Sequence, residues 1–266
     1  MLLIKAGGGK SIHWDGLSGD IAELLPVEKI ILVHGASVQR DELSARLSIP
    51  VKKVVSPSGV ESVYTDNEAL EVFLMAYAGL VNKQVVARFQ RHGINAVGLC
   101  GVDGRLWQAR AKKEMLVQEG GKTKLIRDNL TGRVENVNTE LLRLLLDHNY
   151  LPVVCAPAIS EENEIVNTDN DTAAAVMAAQ LGIKKMVYLF EAPGLLRDLN
   201  DQDSLIPHIG RFEIESFLVF ARGRMTKKIL GVKKALEAGV ETVYFGDGRV
   251  EHPVKNALAG KGTVIS

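Results

Sequence analysis

Apolar residues along this chain alternate between two rhythms. Short β-branched runs recur from end to end: Leu2–Ala6, Lys29–His34, Asn95–Cys100, Leu151–Ala156, Lys185–Phe190, Glu241–Phe245 and Thr263–Ile265. Many are bounded by Gly or Pro, and runs of this kind read as strands. The segments VVC, VYLF and TVYF have no polar alternate, so both faces are covered, as in a mainly parallel sheet. Between these runs the spacing becomes helical. From Asp66 to about His92 it brings Leu70, Phe73, Leu74, Tyr77, Leu80, Val81 and Phe89 into phase. Thr65-Asp-Asn-Glu68 supplies a capping box for that helix. Thr139–His148, Thr172–Leu181 and Thr226–Ala238 read the same way, the last closed by Gly239.

Two stretches break the alternation. Val51–Tyr64 and Arg105–Val137 read as hairpins, the second turning at Gly120-Gly121, and both belong on one edge as a lid over the N-terminal half. No linker, repeat or low-complexity segment divides the chain. The pattern predicts one α/β domain, a mainly parallel open sheet with helices on both faces.

Composition narrows the classes. The chain has 266 residues, 46% of them hydrophobic and 24% charged, with a formal net charge of +0. That balance argues for neither nucleic acid nor a membrane surface, and any electrostatic partner must meet a local patch. No run of eighteen apolar residues occurs, and Lys5 interrupts the start before a signal sequence could form. Cys100 and Cys155 lie in apolar stretches without a CxxC pair, which reads as buried thiols of a reducing compartment. The expectation is a cytoplasmic protein of enzyme size.

The candidate chemistry begins at the glycines. GGGKS, Gly7–Ser11, looks like the tail of a P-loop, but the glycine required five positions before Gly9 is Ile4. What remains is a strand ending near Lys5 and a glycine turn that exposes backbone N–H groups. His34-Gly-Ala-Ser37 repeats the arrangement. Each turn can hold a phosphate at a helix start, and each reads equally as an ordinary βα connection. Asn167-Thr-Asp-Asn-Asp171 opens an Ala-rich helix; Asp169 or Asn170 serves as its cap, and Asp171 falls in the first turn. A calcium loop is disfavoured, because the glycine and distal glutamate of an EF-hand are missing. In Gly223-Arg-Met-Thr-Lys-Lys228 the lysines sit at a helix N-terminus, where the dipole disfavours cations unless an anion lies between. A solvated basic turn is the alternative. The six histidines have no ligand spacing, no GxSxG appears, and no metal-ligand set is expected.

Taken in order, these segments resemble the amino acid kinase family over nearly the whole chain. The matching pieces are Lys5 with Gly7-Gly8, Val33–Gly35, Thr65–Glu68, Ala78–Lys83, Asn167–Asp171, Pro193–Leu196, Gly223–Lys228 and Gly246–Arg249. Within the family the chain is most similar to kinases acting on α-aminoadipate or glutamate carried on the LysW amino-group carrier. N-acetylglutamate kinase is the close relative and the alternative reading; a catalytically silent nucleotide sensor is a third. The chain starts at its first strand, without the N-terminal helix of the hexameric relatives, so the resemblance implies a homodimer.

The resemblance implies an acceptor lobe over about 1–160 and an ATP lobe over about 161–266. It assigns catalysis to Lys5, Lys228 and Asp171, and phosphate binding to Gly7, Gly8, Gly35 and Ala36. It places the acceptor against Gly35, Ala36, Val63 and Asn167, and ATP against Pro193, Gly194, Leu195, Gly223, Met225, Gly246 and Asp247. Mg²⁺ would accompany ATP, largely bound by phosphate and water. Two positions depart from the family pattern: Ala36 replaces a second glycine, and Val63 stands where an arginine grips a substrate carboxylate. Between Arg105 and Arg133 lie eight basic residues against three acidic ones. The carriers of this family are acidic, so Arg110, Lys112 and Lys113 are expected to dock one.

Overall fold

A fully buried strand, β1 (Leu2–Ala6), runs through the middle of the molecule. The computed structural model describes residues 1–57, 59, 61–221 and 223–266. After β1 come α1 (Trp14–Leu24), β2 (Ile30–His34) and α2 (Ser37–Arg46). The strands β3 (Lys53–Val55) and β4 (Glu61–Val63) follow. Then α3 (Asn67–Leu74) and α4 (Asn82–Arg91) form one continuous helix through a π-helical turn, Met75–Val81. The next strands are β5 (Ala96–Gly101), β6 (Trp107–Ala111), β7 (Met115–Glu119), β8 (Lys122–Ile126) and β9 (Thr131–Val137). They lead to α5 (Thr139–Asp147), β10 (Leu151–Ser160), β11 (Ile165–Thr168), α6 (Asn170–Leu181) and β12 (Lys185–Phe190). Last come β13 (His208–Ile209), α7 (Arg224–Glu237), β14 (Thr242–Asp247), α8 (Pro253–Leu258) and β15 (Thr263–Ile265).

The seven strands read from the apolar runs all lie in one sheet. Its main course is β5-β10-β2-β1-β12-β14-β15-β13. From β5 to β14 every pairing is parallel, and β15 returns antiparallel to β14. Helices α1, α4 and α8 pack together on one side and α5, α6 and α7 on the other. That double cover is why the central strands need no polar face. Cys100 and Cys155 are register partners on β5 and β10, both free and buried, and burial pushes both thiols up.

Three sequence readings change. The strand from Leu151 continues to Ser160, and its second half carries β6 alongside and β11 antiparallel. Arg105–Val137 is therefore a hairpin of two ladders. Its root, β6 with β9, belongs to the large sheet; its tip, β7 with β8, turns at Gly120 and Gly121, both with positive φ. The tip joins β3 and β4 in a second, four-stranded sheet, so the two predicted hairpins merge into one structure. Ser58 and Val60, within the first hairpin, lie outside the described residues. Second, the cap of the long helix is Asp66, which accepts from the Ala69 N–H, because the Thr65 hydroxyl is engaged by Asn167. Third, Leu80 is 43% exposed although ordinary helical spacing puts it inside. The π turn adds a residue per turn and rotates that position outward.

Candidate active site

Four of the segments singled out for chemistry lie at the carboxyl ends of neighbouring parallel strands, the edge where open α/β sheets bind ligands, and two others, Asn167–Asp171 and Gly223–Lys228, open helices α6 and α7. Gly7–Gly9 follows β1, Gly35-Ala36 follows β2, Pro193–Leu195 comes after β12, and Gly246-Asp247 ends β14. The strand order β10-β2-β1-β12-β14 puts β1, with Lys5, between the two groups.

Lys5 is buried in the sheet, in register with Val33 on one side and Tyr188 on the other. A buried ammonium needs a counter-charge. Asp171 supplies it from the first turn of α6, with Asp169 as N-cap accepting from Thr172 N–H. The small residues Ala173, Ala174 and Ala175 let α6 lie close to the sheet, which brings its N-terminus to the strand ends. Asp171 Oδ1 is 2.5 Å from Lys5 Nζ, and Oδ2 accepts from Lys228 Nζ at 2.7 Å. Each carboxylate oxygen thus faces one buried ammonium. All three side chains are about a tenth exposed or less.

The charges set one another. Burial raises the Asp171 carboxyl, but Lys228 and Lys5 overcome it and hold it far below the usual carboxylate range. Burial lowers Lys5, and the Asp171 and Asp169 charges more than compensate, leaving it raised. Burial and the repulsion of Lys5 outweigh Asp171 at Lys228, which falls to about 8. Lys228 also lies 5.9 Å from the centre of the Phe190 ring. The group is two cations on one carboxylate, a net positive charge facing the strand ends.

The two glycine turns touch. A Cβ on Gly8 would come 2.5 Å from the Ser37 nitrogen and 2.6 Å from that of Ala36. One on Gly35 would meet the Gly8 nitrogen at 2.8 Å. Only glycine permits this approach, and it gathers several backbone nitrogens beside the lysines, a cradle suited to phosphate oxygens. Gly7 donates instead to Leu189 O and so serves the ladder to β12. Ala36 is fully buried at the N-cap of α2.

On the β2 side, Asn167 and Val63 come together. The Asn167 amide donates to the Thr65 hydroxyl at 2.9 Å, which donates to the Val63 carbonyl at 3.3 Å. Asn129 accepts from the Thr65 N–H and fixes the same corner from the hairpin. A cavity of about 260 Å³ lies beside it, lined by Asp66, Lys113, Arg127, Asn129, Thr131 and Val166 among others. On the β14 side, Gly194 and Gly246 have packing duties. Added Cβ atoms would meet Thr263 Oγ1 and the Ala257 methyl, each at 2.6 Å. Leu195 is buried, Gly223 begins α7 with φ 56°, Met225 packs on the core, and Asp247 holds Arg249 in a fork.

The basic hairpin is less free than its composition suggests. Lys113 pairs with Glu162 and reaches Glu164, while Arg133, Arg127 and Lys124 meet Glu135, Glu114 and Glu119. Arg110 is exposed and faces the charge of Glu161. Lys112 differs. Among the described residues no carboxylate forms an ion pair with it; partial burial, then the charges of Arg133, Lys234 and Lys227, pull its ammonium down against the opposing charge of Asp169.

Residues 1–247 match the amino acid kinase family. The chain belongs to the amino acid kinase family. A [LysW]-aminoadipate kinase of Deinococcus radiodurans is 46% identical over 267 residues, covering 100% of this chain and 91% of that protein. The enzyme of the same name from Thermus thermophilus is 43% identical and fully covered in both directions. Among solved structures, N-acetylglutamate synthase from Neisseria gonorrhoeae superposes with TM-score 0.77 at 23% identity, over 100% of this chain and 59% of that one. That last likeness is one of fold.

In this member of the amino acid kinase family, several residues near the centre carried no signal in the sequence. Tyr188 donates its buried hydroxyl to the Asp171 carbonyl at 3.3 Å. Glu191 accepts from Ser11 N–H and fills the space beside Gly9. Asn170, read as a possible cap, instead ties Ala156 N–H to the His34 carbonyl. A tyrosine in a strand or a glutamate after one is too common a pattern to mark a role.

Proposed function

We propose that the chain transfers the γ-phosphoryl group of ATP to the side-chain carboxylate of α-aminoadipate, or of glutamate, held on a LysW-type amino-group carrier. The state of Asp171 carries this reading. A carboxylate engaged by two buried lysines and held far below its usual range cannot take a proton at neutral pH. A hydroxyl acceptor needs a base. A carboxylate acceptor, with a pKa of about 4.3, is already ionised. The names of the relatives at 46% and 43% identity support the carrier-linked substrate.

Phosphoryl transfer asks for positioning and charge neutralisation. A carboxylate oxygen attacks the γ-phosphorus, the bond to the bridging oxygen breaks, and that oxygen leaves on ADP. Lys5 faces the transferring group, and Lys228 faces the leaving oxygens. Gly8 and the Gly35–Ala36 turn hold the equatorial oxygens, while Asp171 aims both lysines. Asn167 holds the amide on the substrate's α-nitrogen beside Val63. ATP lies over Pro193–Leu195, Gly223, Met225 and Gly246-Asp247. Among the described residues no group of three or more acidic, His or Cys side chains gathers. Mg²⁺ would be held largely by phosphate oxygens and water, neutralising charge on the nucleotide. The halves up to and beyond about residue 160 act as acceptor and ATP lobes.

The carrier docks on Arg110, Lys112 and Lys113, and the crowding around Lys112 supports extending this surface to Lys227 and Lys234 on α7. We also place the enzyme in the cytoplasm as a homodimer. Met75 and Leu80, 44% and 43% exposed, offer apolar contacts to a second copy, which sedimentation would weigh. The test of the substrate is ADP release with Mg-ATP and either carrier-linked aminoadipate, carrier-linked glutamate or free N-acetylglutamate. The reading expects turnover with a carrier-linked acceptor; turnover with the free acetylated acid alone overturns it.

A further inference from the structure

The Ala78–Lys83 segment has no part in the roles above, yet it reaches the site through a buried chain of hydrogen bonds. Asn82 is 1% exposed and follows the π turn, a distortion that often marks a functional position. Its amide occupies a space that exists because residue 98 is glycine: a Cβ there would lie 2.0 Å from Asn82 Oδ1. Lys83 donates to Asn82 Oδ1 and to the Gly98 carbonyl, both at 3.0 Å. Asn82 Nδ2 faces the Val153 carbonyl at 3.0 Å and His34 Nε2 at 3.1 Å, both nearer than the Leu99 carbonyl at 3.5 Å.

These partners leave one consistent assignment of protons. An ammonium can only donate, and a carbonyl can only accept, so Oδ1 must face Lys83 and Nδ2 must face Val153. The amide N–H group therefore points at His34 Nε2, which must offer its lone pair. A neutral imidazole then carries its proton on Nδ1, and Nδ1 lies 3.2 Å from the Gly35 carbonyl. Burial first, then the Lys5 and Lys83 charges, lower His34 to about 4, against the pull of that carbonyl. The ring is neutral at working pH. The Gly35 carbonyl and the Ala36 N–H belong to the same peptide unit, in the turn that touches Gly8.

We infer that Asn82, oriented by Lys83, is a positioning residue: it locks His34 as the Nδ1–H tautomer, which grips the Gly35 carbonyl and aims the Gly35–Ala36 peptide at the transferring phosphoryl group. The aim of that peptide rests on the proposed kinase reading; the tautomer does not. Asn170 holds the backbone carbonyl of the same histidine, so the turn is fixed from α4 and from α6.

Two measurements test this. Long-range ¹H–¹⁵N correlation of the histidine-labelled wild-type protein at pH 7 should show His34 neutral with its proton on Nδ1. A proton on Nε2, or a charged ring, overturns the inference whatever the enzyme's substrate. In the nearly isosteric Asn82→Asp, the new carboxylate accepts a proton from Nε2 and raises the His34 pKa. The neutral ring then carries its proton on the wrong nitrogen, and the charged ring regains the Nδ1 donor. kcat of the variant should fall at least tenfold below wild type at pH 8 and recover as the pH is lowered towards 6, with KM for ATP within twofold. A kcat profile parallel to that of wild type overturns the positioning role. Should the variant fail to fold, the wild-type tautomer decides. Absence of turnover in the wild type with every acceptor would instead count against the kinase reading.

Discussion

Asp171 has both carboxylate oxygens committed to lysines, and several outcomes follow from that single residue. Lys5→Ala and Lys228→Ala should each lower kcat roughly a hundredfold, the scale of a lost group that stabilises transition-state charge. Asp171→Asn should cost as much activity, yet leave no missing acidic limb in the pH profile, because the wild-type carboxylate does not titrate there. A lost limb in steady-state kinetics would make Asp171 a base. The same substitution leaves two buried ammonium groups facing each other. It should destabilise the fold by about 3–5 kcal/mol, as breaking a buried pair does, and added ATP should restore part of the loss in thermal denaturation. Lys228 sets the other limit. Its pKa is lowered to about 8, so the free enzyme loses this cation as pH rises through that value. kcat/KM for ATP, which reports free-enzyme groups, should fall above about pH 8, and Lys228→Arg should move that limb upward. A profile flat to pH 10 would contradict the placement of Lys228 at the phosphates.

At the scale of elements, the strands were the most legible part because each central one is apolar on both faces. Helix α6 was readable from its cap and small residues, though which polar residue did what was not. Asp169 caps it, and Asn170 turns inward. The extent of helix α2 was hidden, although a helical start was expected after His34–Ser37: SVQRDELSAR holds too few apolar positions to show a face. The π turn was equally hidden, since its sequence reads as an uninterrupted helix and only the exposure of Leu80 reveals the shift. The hairpins were seen, but their merger depends on the contact of Val55 with Gln118, a pairing no local pattern encodes. Their charge also looked freer than it is, because the partners Glu162 and Glu164 come from the β10–β11 turn. Lys112→Glu combined with Lys234→Glu should raise KM for the carrier-linked substrate roughly tenfold, more at low salt than at high salt. Lys113→Glu alone should have the smaller effect. Equal effects from both would place the docking surface on the hairpin by itself.

For the molecule as a whole, the family and the strand-end positions of the site were legible because its motifs follow the chain in a fixed order. What the sequence left open was how they close on one another: Lys5 and Asp171 are 166 positions apart and meet only because β1 is central and α6 crosses it. The central claim is that this assembly phosphorylates a carboxylate without a base. The most direct measurement is to incubate the protein with Mg-ATP and carrier-linked aminoadipate, quench with hydroxylamine, and weigh the carrier by mass spectrometry. The account predicts a hydroxamate on the aminoadipate side chain, formed only when ATP is present and lost in Lys5→Ala. A carrier that gains a phosphate stable to hydroxylamine would show a hydroxyl acceptor and contradict it.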